Sequence, residues 1–290
     1  MKGKAAAVFA VTLAAALAGS VPATAAPAAP RATTPTGTVR TFGGMHVDTS
    51  IHLTPTHLPH LRVRNGTYIS NNWSGYAITA RGGKTIPLVT EDFTVPSVNC
   101  ADSTIGTSGF AYVADWAGLD GLVDATVEQE GVDIDCTSTA GPPAYVAWYE
   151  MYPSDPVAFT GTIDPGDAIS VETQRTGSSY VLSLTDITTG AGFTTTQACP
   201  SGSTCKDNSA EVITEDPGTS VPAYDLADFG MDNQTGILAH TYTGRRGSFL
   251  TCNFWISQTV EMVDPSNDAM TSLSPLYGGQ AFGVTWNRSG

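Results

Sequence analysis

The sequence predicts an all-β chain, an antiparallel double-sheet β-sandwich of the concanavalin-like jelly-roll kind, on three observations. Runs rich in Val, Ile, Thr, Tyr and Phe recur from residue 68 to the end, and such runs suit the pleated, half-buried surface of a strand. Gly, Pro, Asp and Ser turns separate them, most plainly at Asp164-Pro165-Gly166-Asp167 and Thr189-Gly190-Ala191-Gly192. No stretch carries apolar residues at the period of a helix face. Many short strands without helices bury their apolar faces sheet on sheet.

The strands follow in order. Residues 86–95 and 110–117 open the series, each closing on small or turn-forming residues. Residues 127–133 and 210–216 are strand-like runs whose polar members fall on one face. Residues 144–151 are rich in aromatics, 168–174 begin directly after the Pro-Gly-Asp turn, and 180–187 end at the Thr-Gly turn. Residues 237–243, 254–263 and 281–286 complete the domain with β-branched and aromatic residues.

Residues 1–25 read as a secretion signal: Lys2 and Lys4, an apolar run from Ala5 to Leu17, and the small residues Ala23-Thr24-Ala25 at a cleavage site. The run is too short and alanine-rich for a good membrane anchor, and no second stretch approaches a span, so an exported, extracellular protein without a membrane partner is expected. Residues 26–67 are rich in Pro, Ala and Thr, hold four of the five histidines (His46, His52, His57, His60) and are basic. They read as a propeptide or linker, the alternative being an arm that stays attached and packs on the domain. Residues 68–290 make one large β domain.

That domain holds 7 Lys and Arg against 26 Asp and Glu, a formal net charge of −19. Such a surface repels nucleic acid and suits work in acid. The five cysteines of an exported chain suggest disulfides with one left over. Cys199 and Cys205 are close enough to staple a loop; Cys100 and Cys136 would then pair by elimination, leaving Cys252, although sequence does not fix the connectivity. His240 is the one histidine after residue 67, so a Cys/His metal site is not expected.

Strand parity places the chemistry, because alternate residues of a strand face the same way. Val146, Trp148, Glu150 and Tyr152 share one face, as do Val127, Gln129 and Gly131, and again Glu211, Ile213 and Glu215. If these strands are neighbours, Trp116, Gln129, Trp148, Glu150 and Glu215 gather on one surface, a groove suited to an extended chain. Gln129 and Glu215 are the candidate catalytic pair: a carboxyl shuttles a proton and an amide donates to a developing oxyanion.

Ordered motifs then point to a family. They are Ser70-Asn71-Asn72-Trp73-Ser74-Gly75-Tyr76, Phe93-Thr94-Val95-Pro96, Trp116-Ala117-Gly118-Leu119-Asp120-Gly121, Gln129-Glu130-Gly131-Val132-Asp133, Ala147-Trp148-Tyr149-Glu150-Met151-Tyr152-Pro153 and Ala210-Glu211-Val212-Ile213-Thr214-Glu215-Asp216. Together they resemble the glutamic peptidase (eqolisin) family of secreted acid proteases. The resemblance implies a cofactor-free endopeptidase, monomeric and made with a propeptide, acting on protein or peptide substrates. It implies Glu215 as general base and then acid, Gln129 as oxyanion donor, and Trp116, Asp120, Asp133, Trp148 and Glu150 as supports. Val146 departs from the aspartate usual in fungal members, and Met151 replaces an aromatic.

Other hydrolytic arrangements fit less well. The two Asp-Thr/Ser-Gly loops of aspartic peptidases are missing, and Gly218-Thr219-Ser220 lacks the α/β context of a subtilisin-like serine. A glycan-binding or glycoside-hydrolysing β-sandwich using Glu150 and Glu215, with Trp116 and Trp148 as stacking platforms, is the alternative. Gln129 separates the two, since neither a lectin nor a glycosidase needs an amide opposite Glu215.

Overall fold

The computed structural model describes residues 37–53, 58–59, 61–103, 109–217 and 225–290. Among them twenty strands, numbered in chain order, form two sheets, and no helix occurs. The first sheet runs β1 (Thr38–Phe42), β13 (Gly192–Ala198), β12 (Ser179–Asp186), β11 (Ala168–Thr176), β6 (Leu88–Thr94), β16 (Met231–His240), β20 (Phe282–Trp286) and β19 (Thr271–Leu273), with β17 (Arg246–Gly247) beside β16. The second runs β2 (His46–Val47), β10 (Val157–Thr160), β9 (Ala144–Tyr152), β8 (Val127–Cys136), β7 (Ala111–Leu119), β14 (Ser209–Glu215), β5 (Trp73–Ala80), β18 (Trp255–Met262), β4 (Thr67–Ser70) and β3 (Arg62–Arg64). A short β15 (Asp225–Leu226) lies parallel to β7, and β4 lies parallel to β18; the other pairings are antiparallel. The sandwich expected from the strand pattern is the fold.

Alternation packs the two sheets together. Ile169 and Val171 of β11 and Tyr180, Leu182 and Leu184 of β12 point inward, onto an apolar layer that includes Val132, Ile134, Ala147 and Tyr149 of the second sheet. Phe159 and Phe193 stack face to face, 4.0 Å between ring centres, joining β10 to β13. Each such side chain stabilises by roughly 1.5–3 kcal/mol on burial, and a slip of one residue would turn a whole strand's set outward, so register is tightly fixed. Disulfides join Cys100 to Cys136 and Cys199 to Cys205, and Cys252 is an exposed free thiol.

The basic segment before residue 68 is built into both sheets. β1 pairs along β13, β2 along β10, and Met45 between them is buried in the core. β3 pairs with β4 at the far edge of the second sheet. Described residues between β2 and β3 pack on one face of that sheet. Leu53 is buried on its outer face, where Ile51, Leu58 and Leu61 also pack. The secretion signal of residues 1–25, His57, His60 and the Gly218-Thr219-Ser220 motif lie outside the described residues.

Carboxyl groups also enter the space between the sheets. Glu91 on β6, Asp115 on β7 and Asp232 on β16 are buried there together; Thr214 Oγ1 donates to Asp232 Oδ2 at 3.0 Å and Gln234 Nε2 donates to the same oxygen. Burial, reinforced by the charge on Asp232, raises Glu91 and Asp115 well above the usual carboxyl range. Burial pushes Asp232 itself up to about 6 against those donated hydrogen bonds. Glu130 is raised too, by burial, with the Thr173 hydroxyl opposing the shift.

A raised folded-state pKa means that the native state holds its proton more tightly than the unfolded chain. The resulting stability is fully present below the unfolded values of about 4 and is lost as pH rises through the folded ones. Thermal melts from pH 3 to 9 are expected to peak in moderate acid and to fall from about pH 5 upward, more steeply at low salt. Asp115→Asn is expected to flatten that fall. A maximum at pH 8 would contradict this account.

Candidate active site

Strand register brings the predicted side chains to one surface. Gln129 on β8 lies opposite Glu150 on β9 and Gly118 on β7; Gly131 lies between Trp148 and Trp116; Asp133 lies between Val146 and Ala114. Across β14 the rows continue, with Glu211 opposite Gly118, Ile213 opposite Trp116, and Glu215 between Ala114 and Trp73. Gln129, Asp133, Trp116, Trp148, Glu150 and Glu215 thus share the outer face of the second sheet.

Two donors grip Glu215. Trp116 Nε1 donates to Oε2 at 2.8 Å, and Asn72 Nδ2 donates to Oε1 at 3.0 Å. Asn72 is itself placed by Ser70 and by its own carbonyl, which accepts the Asp216 N–H at 2.8 Å. Gln129 is oriented by Glu150, whose Oε2 accepts from Gln129 Nε2 at 2.7 Å. The pair stand two strands apart with β7 between them, offset by four residues along the sheet. The Trp116 indole lies on the intervening strand, edge-on to Trp73 with ring centres 4.9 Å apart.

Glycines make room for that indole. A Cβ at Gly131 would fall 2.0 Å from the Asp115 carbonyl oxygen and 2.8 Å from Trp116 Cβ; one at Gly118 would fall 2.9 Å from Gln129 Cβ. Asp133 is raised well above the carboxyl range by burial first, then by the charges of Asp135 and Glu215, and Asp216 is raised by burial and then by Glu215. Glu215 therefore sits beside buried acids whose pKa values are raised in part by its own charge.

Asp120 is brought elsewhere. Its left-handed backbone (φ 67°) directs the carboxylate to the N–H groups of Lys206, Asp207 and Asn208, at 2.7, 2.8 and 2.8 Å, tying the turn after β7 to the approach to β14. Burial and Asp124 raise it to about 7 against those three bonds. Among the described residues, the oxygens of Asp120, Glu128 and Asp207 form the grouping closest to a cation site. Arg175 and Tyr180 already engage Asp207, and the backbone amides engage Asp120, so this chemistry is an ion-pair clamp. His240 meets Arg246 on the first sheet, away from Gln129 and Glu215.

Sequence reading missed one partner of Glu215. Asn72 belongs to a quoted motif, but its reach across to β14 follows only from the register of β5 against β14. Gln129 and Glu215 are both 0% exposed, and Ile51 and Leu53 pack on the same face against the cluster that holds Trp73, Trp116 and Trp148. Trp116 and Trp148 are buried too, so neither presents an open ring for a sugar to stack on. The arrangement can polarise a water with a carboxyl and stabilise an oxyanion with a fixed amide.

An acid, an amide and tryptophans gather on one face of a β-sandwich, and proteins that share this sequence pattern and fold are hydrolases of the glutamic class. The chain belongs to the Peptidase A4 family, whose model matches residues 71–286, and is a peptide-bond hydrolase. It is 35% identical over 207 residues to Aspergillopepsin-2 of Aspergillus niger, covering 62% of this chain and 70% of that one. It is 32% identical over 152 residues to Scytalidopepsin B of Scytalidium lignicola, covering 51% of this chain and about half (52%) of that protein. Among solved structures, aspergilloglutamic peptidase from Aspergillus niger matches with a TM-score of 0.53 at 27% identity, over 61% of this chain and 99% of that one. Scytalido-glutamic peptidase with a transition state analog inhibitor shares the fold with a TM-score of 0.61 at 24% identity, over 75% and 98% of the two chains.

Gly131→Ala tests the packing beneath Trp116. Its new methyl meets backbone rather than a flexible side chain, so a loss of about 3 kcal/mol, the upper end for overpacking, is expected. Denaturant midpoints measure it; an unchanged midpoint would show that Trp116 and β7 can shift freely.

Proposed function

We propose that this chain is a secreted endopeptidase working in acid, in which Glu215 and Gln129 act together on a water and a peptide bond. The observation that carries the reading is the double grip on Glu215 by Asn72 and Trp116, on the face where Glu150 fixes the Gln129 amide. Glu215 takes a proton from the attacking water and returns one to the leaving amine. The Gln129 N–H stabilises the tetrahedral oxyanion. Trp116 and Glu150 act as positioning residues, while Asp133 and Trp148 line the same face. Asp120 supports the site from a distance, by holding the approach to β14.

Residues 1–25 serve as the export signal and 26–67 as a propeptide whose final stretch blocks the site. The packing of Ile51 and Leu53 on the face that also carries the buried Gln129 and Glu215 supports this. The propeptide is basic and the domain is acidic, so attraction weakens as the domain's carboxyls gain protons in acid.

Glu215→Gln keeps shape and hydrogen bonding but cannot transfer a proton, so hydrolysis of a denatured protein is expected to fall to background with the fold intact. Gln129→Ala removes a donor of the kind typically worth about 2.7–4 kcal/mol. Near-normal turnover by folded Glu215→Gln would refute the assignment. Separately, a full chain made uncleavable between residues 48 and 67 is expected to stay inactive in acid, whereas the acid-matured chain cleaves. Equal activity of the two would rule out the blocking role.

A further inference from the structure

Part of the site face is an apolar patch in which only the Trp116 indole also serves Glu215. Trp73, Trp116, Val127, Val146, Trp148, Ala158 and Ile213 form one buried cluster there, and Leu53 of the N-terminal segment completes it. Val146 stands opposite Asp133 on β9, on the same face as Trp148 and Glu150, and so as Gln129. It is 6% exposed.

The segment enters beside this patch. The Asp48 N–H donates to the Ala158 carbonyl at 3.0 Å, and Ala158 is the register partner of Trp148. Two donations from Ser50 to Asp48 Oδ1, one from its backbone N–H at 2.8 Å and one from its hydroxyl at 2.6 Å, then turn the chain. Leu53 is 5% exposed while its neighbour His52 is exposed. One side chain thus plugs the surface while the next points to solvent, as in an extended peptide lying on a sheet. Among the described residues, the buried indole nitrogens of Trp73 and Trp148 have no acceptor. Donors of that kind suit the carbonyls of an extended chain seated between them.

We propose that this patch is a side-chain pocket selecting a bulky aliphatic residue of the substrate, that Val146 sets the preference, and that Leu53 fills the pocket in the full chain. The inference rests on the peptidase reading of the same face. An apolar wall accepts Leu, Ile or Met, and with Asp133 opposite Val146 it strips water from an acidic side chain while offering it only repulsion. Discrimination by such pockets is typically about 10–200-fold for modest changes in size.

The test is a peptide library cleaved in acid by the full-length chain, with cut sites mapped by mass spectrometry. One fixed position relative to the cut is expected to be enriched in Leu, Ile and Met. Val146→Asp is expected to lower kcat/KM at least 10-fold for a leucine at that position while sparing peptides that are polar there. Should Val146→Asp fail to fold, Val146→Thr, close to isosteric, is expected to narrow the same preference about 3-fold or more. A synthetic peptide of residues 46–53 is expected to inhibit, and its Leu53→Asp form to inhibit at least 10-fold less. Cleavage with a profile unchanged in a folded Val146 variant would overturn the pocket alone. Absence of any cleavage by the wild-type chain would overturn the peptidase reading, and the pocket with it.

Discussion

Everything at the site depends on the register of five antiparallel strands, β9, β8, β7, β14 and β5. Glu215 has its two donors because β7 supplies Trp116 on one side and the approach to β5 supplies Asn72 on the other. Gln129 is oriented because Glu150 faces it directly from β9. A shift of one residue on any of these strands would turn the side chain to the opposite face. Gly118 and Gly131 protect that register by letting the Trp116 indole lie against the backbone, so a bulky donor fits where a strand surface would ordinarily be full.

The second organising feature is the number of acids kept out of water with few cations near them. Glu91, Asp115 and Asp232 come from β6, β7 and β16, and Glu130 reaches Thr173 across the sandwich. In a neutral medium such groups oppose burial; protonated, they behave as hydrogen-bonding neutral side chains. The acidic composition is therefore a property of the interior as well as of the surface.

Much of this was legible in the sequence. Period-two parity put Trp148 and Glu150 together on one strand and Glu211 and Glu215 together on another, and the ordered motifs pointed to the pair. Parity cannot say which strands are neighbours, so the placement of β7 between β8 and β14 and the reach of Asn72 needed the fold. Asp120 has the parity of Trp116, yet its left-handed turn carries the carboxylate to the backbone of residues 206–208. β13 was missed because Phe193-Thr194-Thr195-Thr196-Gln197 follows a strong turn signal and looks polar, although Phe193 points into the core. The composition of residues 26–67 pointed to a propeptide or linker, with a packed arm as the alternative, and pairing with β13, β10 and β4 makes parts of it strands.

The N-terminal arm also has a bearing on what happens at the margins of the sheets. An uncovered edge offers a row of unpaired N–H and C=O groups to any passing strand and invites aggregation. β1 covers the edge of the first sheet along five residue pairs, β2 covers the edge of the second, and Met45 anchors the turn between them. Scission anywhere between residues 48 and 61 would sever this arm from the domain without breaking one of those backbone bonds. Both edges would stay capped while the groove opened, leaving a nicked, two-piece protein that keeps its colloidal protection.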